Sequence, residues 1–195
     1  MPVFILGNEP RLPVDSLHLL DGFFTVGTNR IIQVYDPTVH LVVDASAWPA
    51  RMPDTKCQPL LSPLMNLKKI HGAWYPELFV ASEVWSKHPG ELHADGNSGV
   101  CAAGWANSLG CEPIYLLGMS ARYKGKQTDF YGVNEFHKDG TVRGMQKALN
   151  NLFESLPHCV PVANGEHLAA IIETEKRHEH DRNYWMDILN GNLSV

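Results

Sequence analysis

Short apolar runs that stop at small polar residues recur along this chain, and they set its predicted architecture. Residues 3–6 (Val-Phe-Ile-Leu) stop at Gly7-Asn8, residues 23–26 at Gly27-Thr28-Asn29, and residues 41–43 at Asp44. A fourth run, 114–117 (Ile-Tyr-Leu-Leu), stops at Gly118. Continuous apolar runs of this length read as strands buried on both faces, as in a parallel sheet. Between them, residues 97–119 compress a turn, a helix and a strand into one unit. Asn97, Ser98 and Gly99 make the turn, and Ala102, Ala103, Gly104 and Ala106 keep the helix thin enough to lie close on a sheet. Gly110 supplies the left-handed residue that commonly ends a helix.

Farther on, Val142, Met145, Leu149, Leu152 and Phe153 recur at helical spacing and predict a helix over 141–156, ended by Pro157. Residues 159–162 read as a strand, 166–180 as a helix and 184–189 as a second helical piece. The order is strand, helix, strand, helix, strand, an irregular middle, then helix, strand, loop, helix, strand, helix. That alternation predicts an α/β fold, a mostly parallel sheet flanked by helices in a single domain over residues 1–195. The middle, residues 45–95, is rich in proline and carries Trp48, Trp74 and Trp85, the composition of loops and short strands covering a sheet edge. Residues 78–81 are its best strand. Residues 120–140, polar and aromatic, exceed an ordinary connection and are a candidate lid.

In open α/β sheets the carboxyl ends of the strands gather at one edge and form the ligand crevice. Gly7, Asn29, Asp44 and Ser98 are therefore expected around one cavity able to hold a phosphorylated molecule. The helix that starts after Asn97 adds unpaired N–H groups and a dipole that favour an anion. The same Asn97-Ser98-Gly99 turn also reads as a plain helix cap.

Composition narrows the classes. With 195 residues, 44% hydrophobic and 19% charged, the chain can bury a sizeable core and is neither disordered nor fibrous. A formal net charge of -5 argues against a general nucleic-acid binder, despite the local cluster Arg122, Lys124 and Lys126. No apolar run reaches the roughly 20 residues of a membrane helix, and the start has no basic segment leading into a cleavable apolar stretch. A cytoplasmic location is the default expectation. Cys57, Cys101, Cys111 and Cys159 lack paired metal spacing and read as reduced thiols, the last three in core elements. His178, His180 and Asp181 cluster near one end, but the i, i+2 histidines fall on different helix faces, so a polar surface is the better reading than a metal site. His93 and Asp95, just before the Asn97 turn, are substrate contacts or loop. Neither a Walker phosphate loop nor a nucleophile elbow is present.

The run Ser98-Gly99-Val100, a small-residue helix, Leu109-Gly110, then Glu112 to Met119 and Tyr123 resembles a segment of the bacterial sialyltransferases of glycosyltransferase family 42. The opening Phe4 to Leu12 is similar to that family's Gly-Asn-Gly-Pro-Ser-Leu turn, and Thr28-Asn29-Arg30 stands where the family has a Cys-Asn pair. His137 matches the position of the family's catalytic base. The archaeal-type hydroxymethyl-dihydropterin diphosphokinases are also similar in the N-terminal turn, the small-residue helix and its following strand. Both resemblances imply a Rossmann-like fold and a nucleotide-linked phosphate ligand. Three positions depart from the pattern: Glu9 replaces a Gly of the turn, Arg11 replaces its Ser, and Ser120 replaces the Asp that both families carry after the strand.

The sialyltransferase resemblance implies transfer of a sugar from a nucleotide donor without a metal or other cofactor. A base takes the proton of the acceptor hydroxyl, and hydrogen-bond donors stabilise the leaving phosphate. His137 suits the first role, since an imidazole with a pKa near 6.5 is substantially neutral at pH 7. Tyr123 and Tyr131 suit the second, with Ser98, Ser120 and the N–H of Gly99 beside them. Gly7, Asn8, Asn29 and Asn97 would meet the nucleotide, and Asp44 a ribose or a metal; Asn8 and Asn29 also read as turn and helix-cap residues, and Asp44 as a helix cap. The diphosphokinase resemblance implies instead a Mg²⁺-dependent diphosphotransferase with Asp44 and Asp95 or Asp129 as ligands. A third reading is a non-catalytic relative that binds a nucleotide or a protein. The acceptor is not readable, and the aromatic middle suits an interface of a homo-oligomer.

Overall fold

The structure, a computed structural model, describes residues 1–41, 60–61, 97–121, 127–129 and 139–175. Six strands form one sheet: β1 (Val3–Leu6), β2 (Phe24–Thr28), β3 (Val39–Leu41), β4 (Leu60–Leu61), β5 (Ile114–Leu117) and β6 (Cys159–Val162). Their order is β4-β3-β2-β1-β5-β6 and every pairing is parallel. The chain thus builds outward from β1 in one direction, then returns to lay β5 on its other side. This is a Rossmann-like α/β fold, and its topological switch point lies between β1 and β5.

The apolar runs bury both faces of the sheet, as their lack of alternation requires. Val3 and Ile5 join Phe24, Val26, Ile114 and Leu116 on one face, under α1 (Ser98–Ser108) and α2 (Asp139–Ser155). Phe4 and Leu6 join Tyr115 and Leu117 on the other, under α3 (Gly165–Thr174) and a 3₁₀ segment (Val14–Leu20). Each fully buried Leu, Ile or Phe contributes about 1.5–3 kcal/mol relative to an exposed one. Helix α1 lies across β1, β2 and β5, and Ala102, Ala103 and Ala106 are fully buried in that contact. Gly110 follows the helix with φ of +80°, the left-handed stop that the sequence predicts. Burial pushes the Cys101, Cys111 and Cys159 thiols up to about 12, which keeps them protonated. No helix among the described residues is long and apolar enough to cross a membrane.

Several elements differ from their sequence-based expectation. The two connections expected as helices after β1 and β2 are 3₁₀ segments, Val14–Leu20 and Asn29–Gln33. A parallel crossover must carry the chain back along the strand, about 13 Å for four residues. Seven 3₁₀ residues rise about 14 Å, whereas an α-helix of that length rises about 10 Å. Strand β3 begins at Val39, two residues before its expected start, with His40 fully buried in it, and residues 42 and 43 of the expected run lie outside the described residues. Helix α3 stops at Thr174, short of residue 180: Glu175 is extended and its carboxylate accepts from the Tyr115 hydroxyl. The strand expected at 78–81, the helical piece at 184–189 and most of the 45–95 and 120–140 segments lie outside the described residues.

Candidate functional site

Register brings the strand ends level. Leu6 of β1 is opposite Gly27 of β2 and Leu117 of β5, so Gly7, Thr28 and Gly118 leave the sheet side by side. Past these ends the loops are tied together. Gly7 N–H donates to the Leu117 carbonyl at 2.8 Å and Glu9 N–H to the Gly118 carbonyl at 3.2 Å. A side chain at Gly7 would run into the Gly118 carbonyl oxygen and come within 2.7 Å of Met119 Cγ. One at Gly99 would meet Met119 Sδ at 2.7 Å. Met119 therefore fills the space between the β1 turn and the start of α1; at Gly7 the Gly118 backbone is the packing reason for glycine, whereas at Gly99 only the flexible Met119 side chain stands in the way.

Asn29 and Ser98, distant in sequence, meet here. The Ser98 hydroxyl donates to Asn29 Oδ1 at 3.2 Å and pins the start of α1 to the end of β2. Asn29 has φ of +50°, a left-handed conformation that Asn tolerates better than most residues. Its carbonyl accepts from His40 Nε2 at 2.6 Å, so the imidazole carries its proton on Nε2. Burial lowers the His40 pKa to about 4, and the bond to Asn29 opposes that shift only partly. His40 is therefore neutral at pH 7. The Asn29 Nδ2 group has no hydrogen-bond partner among the described residues.

Asn8 and Asn97 spend their amides on the protein. Asn8 Nδ2 donates to the Thr28 carbonyl at 3.0 Å and to Thr28 Oγ1 at 3.2 Å, while its Oδ1 accepts from Arg30 N–H at 3.1 Å. Thr28 Oγ1 in turn donates to the Leu6 carbonyl at 3.0 Å, so the bracket joins β1 to β2. Asn97 Oδ1 accepts from the N–H groups of Gly99 at 3.0 Å and Val100 at 3.2 Å, which makes it the N-cap of α1. Two of the donors expected to face an anion thus serve the cap. Gly99 contributes backbone packing at this edge, with its N–H already engaged.

Ser120 and Glu9, two of the three positions that depart from the sialyltransferase-like pattern, touch each other. The Glu9 carboxylate, 6% exposed, accepts from Ser120 Oγ at 2.6 Å, from Ser120 N–H and from Ala121 N–H. A negative group does stand at the end of β5, but it comes from the β1 loop. Asp129 is buried and accepts from the Thr128 hydroxyl at 3.0 Å.

The structure thus gathers Gly7, Asn8, Asn29, Asn97, Ser98, Gly99 and Ser120 at one edge of the sheet. Asp44, Asp95, Tyr123, Tyr131 and His137 lie outside the described residues. Sequence reasoning passed over His40 and Met119 entirely. Glu9 and Ser120 are two of three departures in the sequence, and nothing there pairs them in preference to Arg11. Comparison with protein-family models, with curated proteins and with solved structures finds no match to the chain.

Proposed function

We propose that this protein is a nucleotide-sugar-dependent glycosyltransferase of sialyltransferase type, acting without a metal and using His137 as the base. The observation that carries the reading is the meeting of Asn29 and Ser98 beside Gly7, next to the switch point of a parallel sheet. Ligands of such sheets bind in that crevice. Asn29 Nδ2 is an amide donor without a protein partner among the described residues, suited to a carbonyl, hydroxyl or phosphate oxygen of a nucleotide.

In the proposed reaction the acceptor hydroxyl loses its proton to the His137 imidazole as its oxygen bonds to the anomeric carbon of the donor sugar. The bond from that carbon to the nucleotide phosphate oxygen breaks, and the phosphate leaves with the electron pair. Tyr123 and Tyr131 donate hydrogen bonds to the leaving oxygens, so that charge developing in the transition state is met by fixed donors.

Nucleotides tested by thermal unfolding distinguish this reading from its rivals. A ligand of the native state at about one hundred times its Kd stabilises by about 2.7 kcal/mol, which in a chain of this size raises the melting temperature by about 5–10 °C. CMP and CMP-sialic acid are expected to do so with or without Mg²⁺. A shift from ATP that needs Mg²⁺, with none from CMP, would replace the reading by a diphosphotransferase. No shift from CMP, CMP-sialic acid, UDP-sugars, ATP or AMP would leave a non-catalytic relative.

A further inference from the structure

The Glu9 contact has a property that a surface hydrogen bond lacks. Three donors converge on one carboxylate, and two of them are the successive N–H groups of Ser120 and Ala121. Ala121 has φ of +50°, and a turn through the left-handed region aims consecutive N–H groups at one anion. This turn is held independently of the Glu9 side chain. Gly118, with φ of +63°, turns the chain just before it, the Glu9 backbone N–H binds the Gly118 carbonyl, and Gln146 of α2 donates to the Ala121 carbonyl at 3.4 Å. Glu9 itself is nine-tenths buried. The donors stand at the border of β1 and β5, where the strand order reverses.

We propose that the Ser120 and Ala121 N–H groups, with the Ser120 hydroxyl, form a carboxylate-binding site whose occupant is the protein's own Glu9. Each oxygen is held separately, Oε2 by Ser120 and Oε1 by Ala121, a two-oxygen arrangement that matches a carboxylate. Filled in this way, the site keeps a ligand oxyanion off the Ser120 side of the crevice, because a second negative group there would face a like charge at close range. On the nucleotide reading above, on which this one consequence rests, the donor phosphate is therefore taken on the Ser98 side of β1.

The test is rescue by a small carboxylate, and it needs no nucleotide. Glu9→Ala in the full chain leaves three donors unmet and a space the size of the lost carboxylate, and it is expected to melt about 5 °C or more below the parent. Sodium formate or acetate should restore at least half of that loss along a saturable curve, measured against sodium chloride at equal ionic strength. The parent and Glu9→Gln, whose amide keeps the space filled, should respond to formate no more than to chloride. A Glu9→Ala response to formate equal to that of the parent overturns the proposal. If Glu9→Ala does not fold in chloride, the same titration is read as folded fraction recovered on refolding, by circular dichroism, and no recovery at any formate concentration overturns it equally. Neither result depends on whether the chain binds CMP.

Discussion

His40 shows how a residue remote from any ligand shapes the site. Its Nε2–H fixes the carbonyl of Asn29 while the Asn29 amide meets Ser98, so a buried imidazole on β3 sets the backbone of a residue at the end of β2. Burial depresses its pKa from 6.5 to about 4. The unfolded chain therefore binds a proton in a pH range where the folded one does not, and stability is lost as the pH falls from about 6.5 through about 4. The full effect is on the order of 3 kcal/mol. His40→Gln keeps an N–H donor but does not titrate. Urea denaturation at pH 7, 5.5 and 4.5 is expected to show the parent losing more unfolding free energy than the variant over that range, by on the order of 1–3 kcal/mol. Parallel losses in the two proteins would mean that His40 titrates alike folded and unfolded.

Helix α1 is held to the sheet by small residues and to its own first turn by one side chain. Its face carries no charged residue to strengthen it, so the cap matters: Asn97 Oδ1 meets two N–H groups that the helix itself leaves unpaired. Asn97→Ala is expected to destabilise the protein by about 1 kcal/mol, seen as a lower urea midpoint at an unchanged slope. Asn97→Asp, which keeps the acceptor, should stay near the parent. A neutral Asn97→Ala would mean that solvent caps the helix as well as the side chain does.

At this scale much was legible. Strands β1 and β5 stand where the apolar runs put them, since a strand buried on both faces has no competing periodicity, and the edge strand β6 also lies at its expected residues. β3 begins two residues before its apolar run because a buried histidine reads as polar until a partner such as the Asn29 carbonyl is known. The 3₁₀ connections were not legible either. Their geometry follows from the distance the crossover must span, a quantity fixed by the sheet and not by local sequence.

For the whole molecule, the strand-end rule expects Gly7, Asn29, Asp44 and Ser98 around one cavity. Gly7 and Asn29 share an edge because parallel register leaves a chain little choice of where its carboxyl ends gather. Ser98 joins them through Asn29, and Asp44 lies outside the described residues. The contacts that define the edge chemically were hidden, since Glu9 with Ser120 and His40 with Asn29 join residues whose proximity exists only after the sheet has assembled. This division separates binding from chemistry in a way that can be measured. Asn29→Gly removes the amide while letting the backbone keep its left-handed turn without strain. It should therefore leave stability within about 1 kcal/mol of the parent, the loss of one hydrogen bond to Ser98 being offset by relief at φ of +50°. On the proposed glycosyltransferase reading, its nucleotide affinity should fall about tenfold, the worth of one hydrogen bond to a ligand. His137→Ala should do the reverse. CMP should bind it as it binds the parent, by calorimetry, while transfer from CMP-sialic acid falls by at least a hundredfold, as expected when a general base is removed. If His137→Ala loses CMP binding and transfer together, the imidazole is a contact to the nucleotide, and some other group must take the acceptor proton.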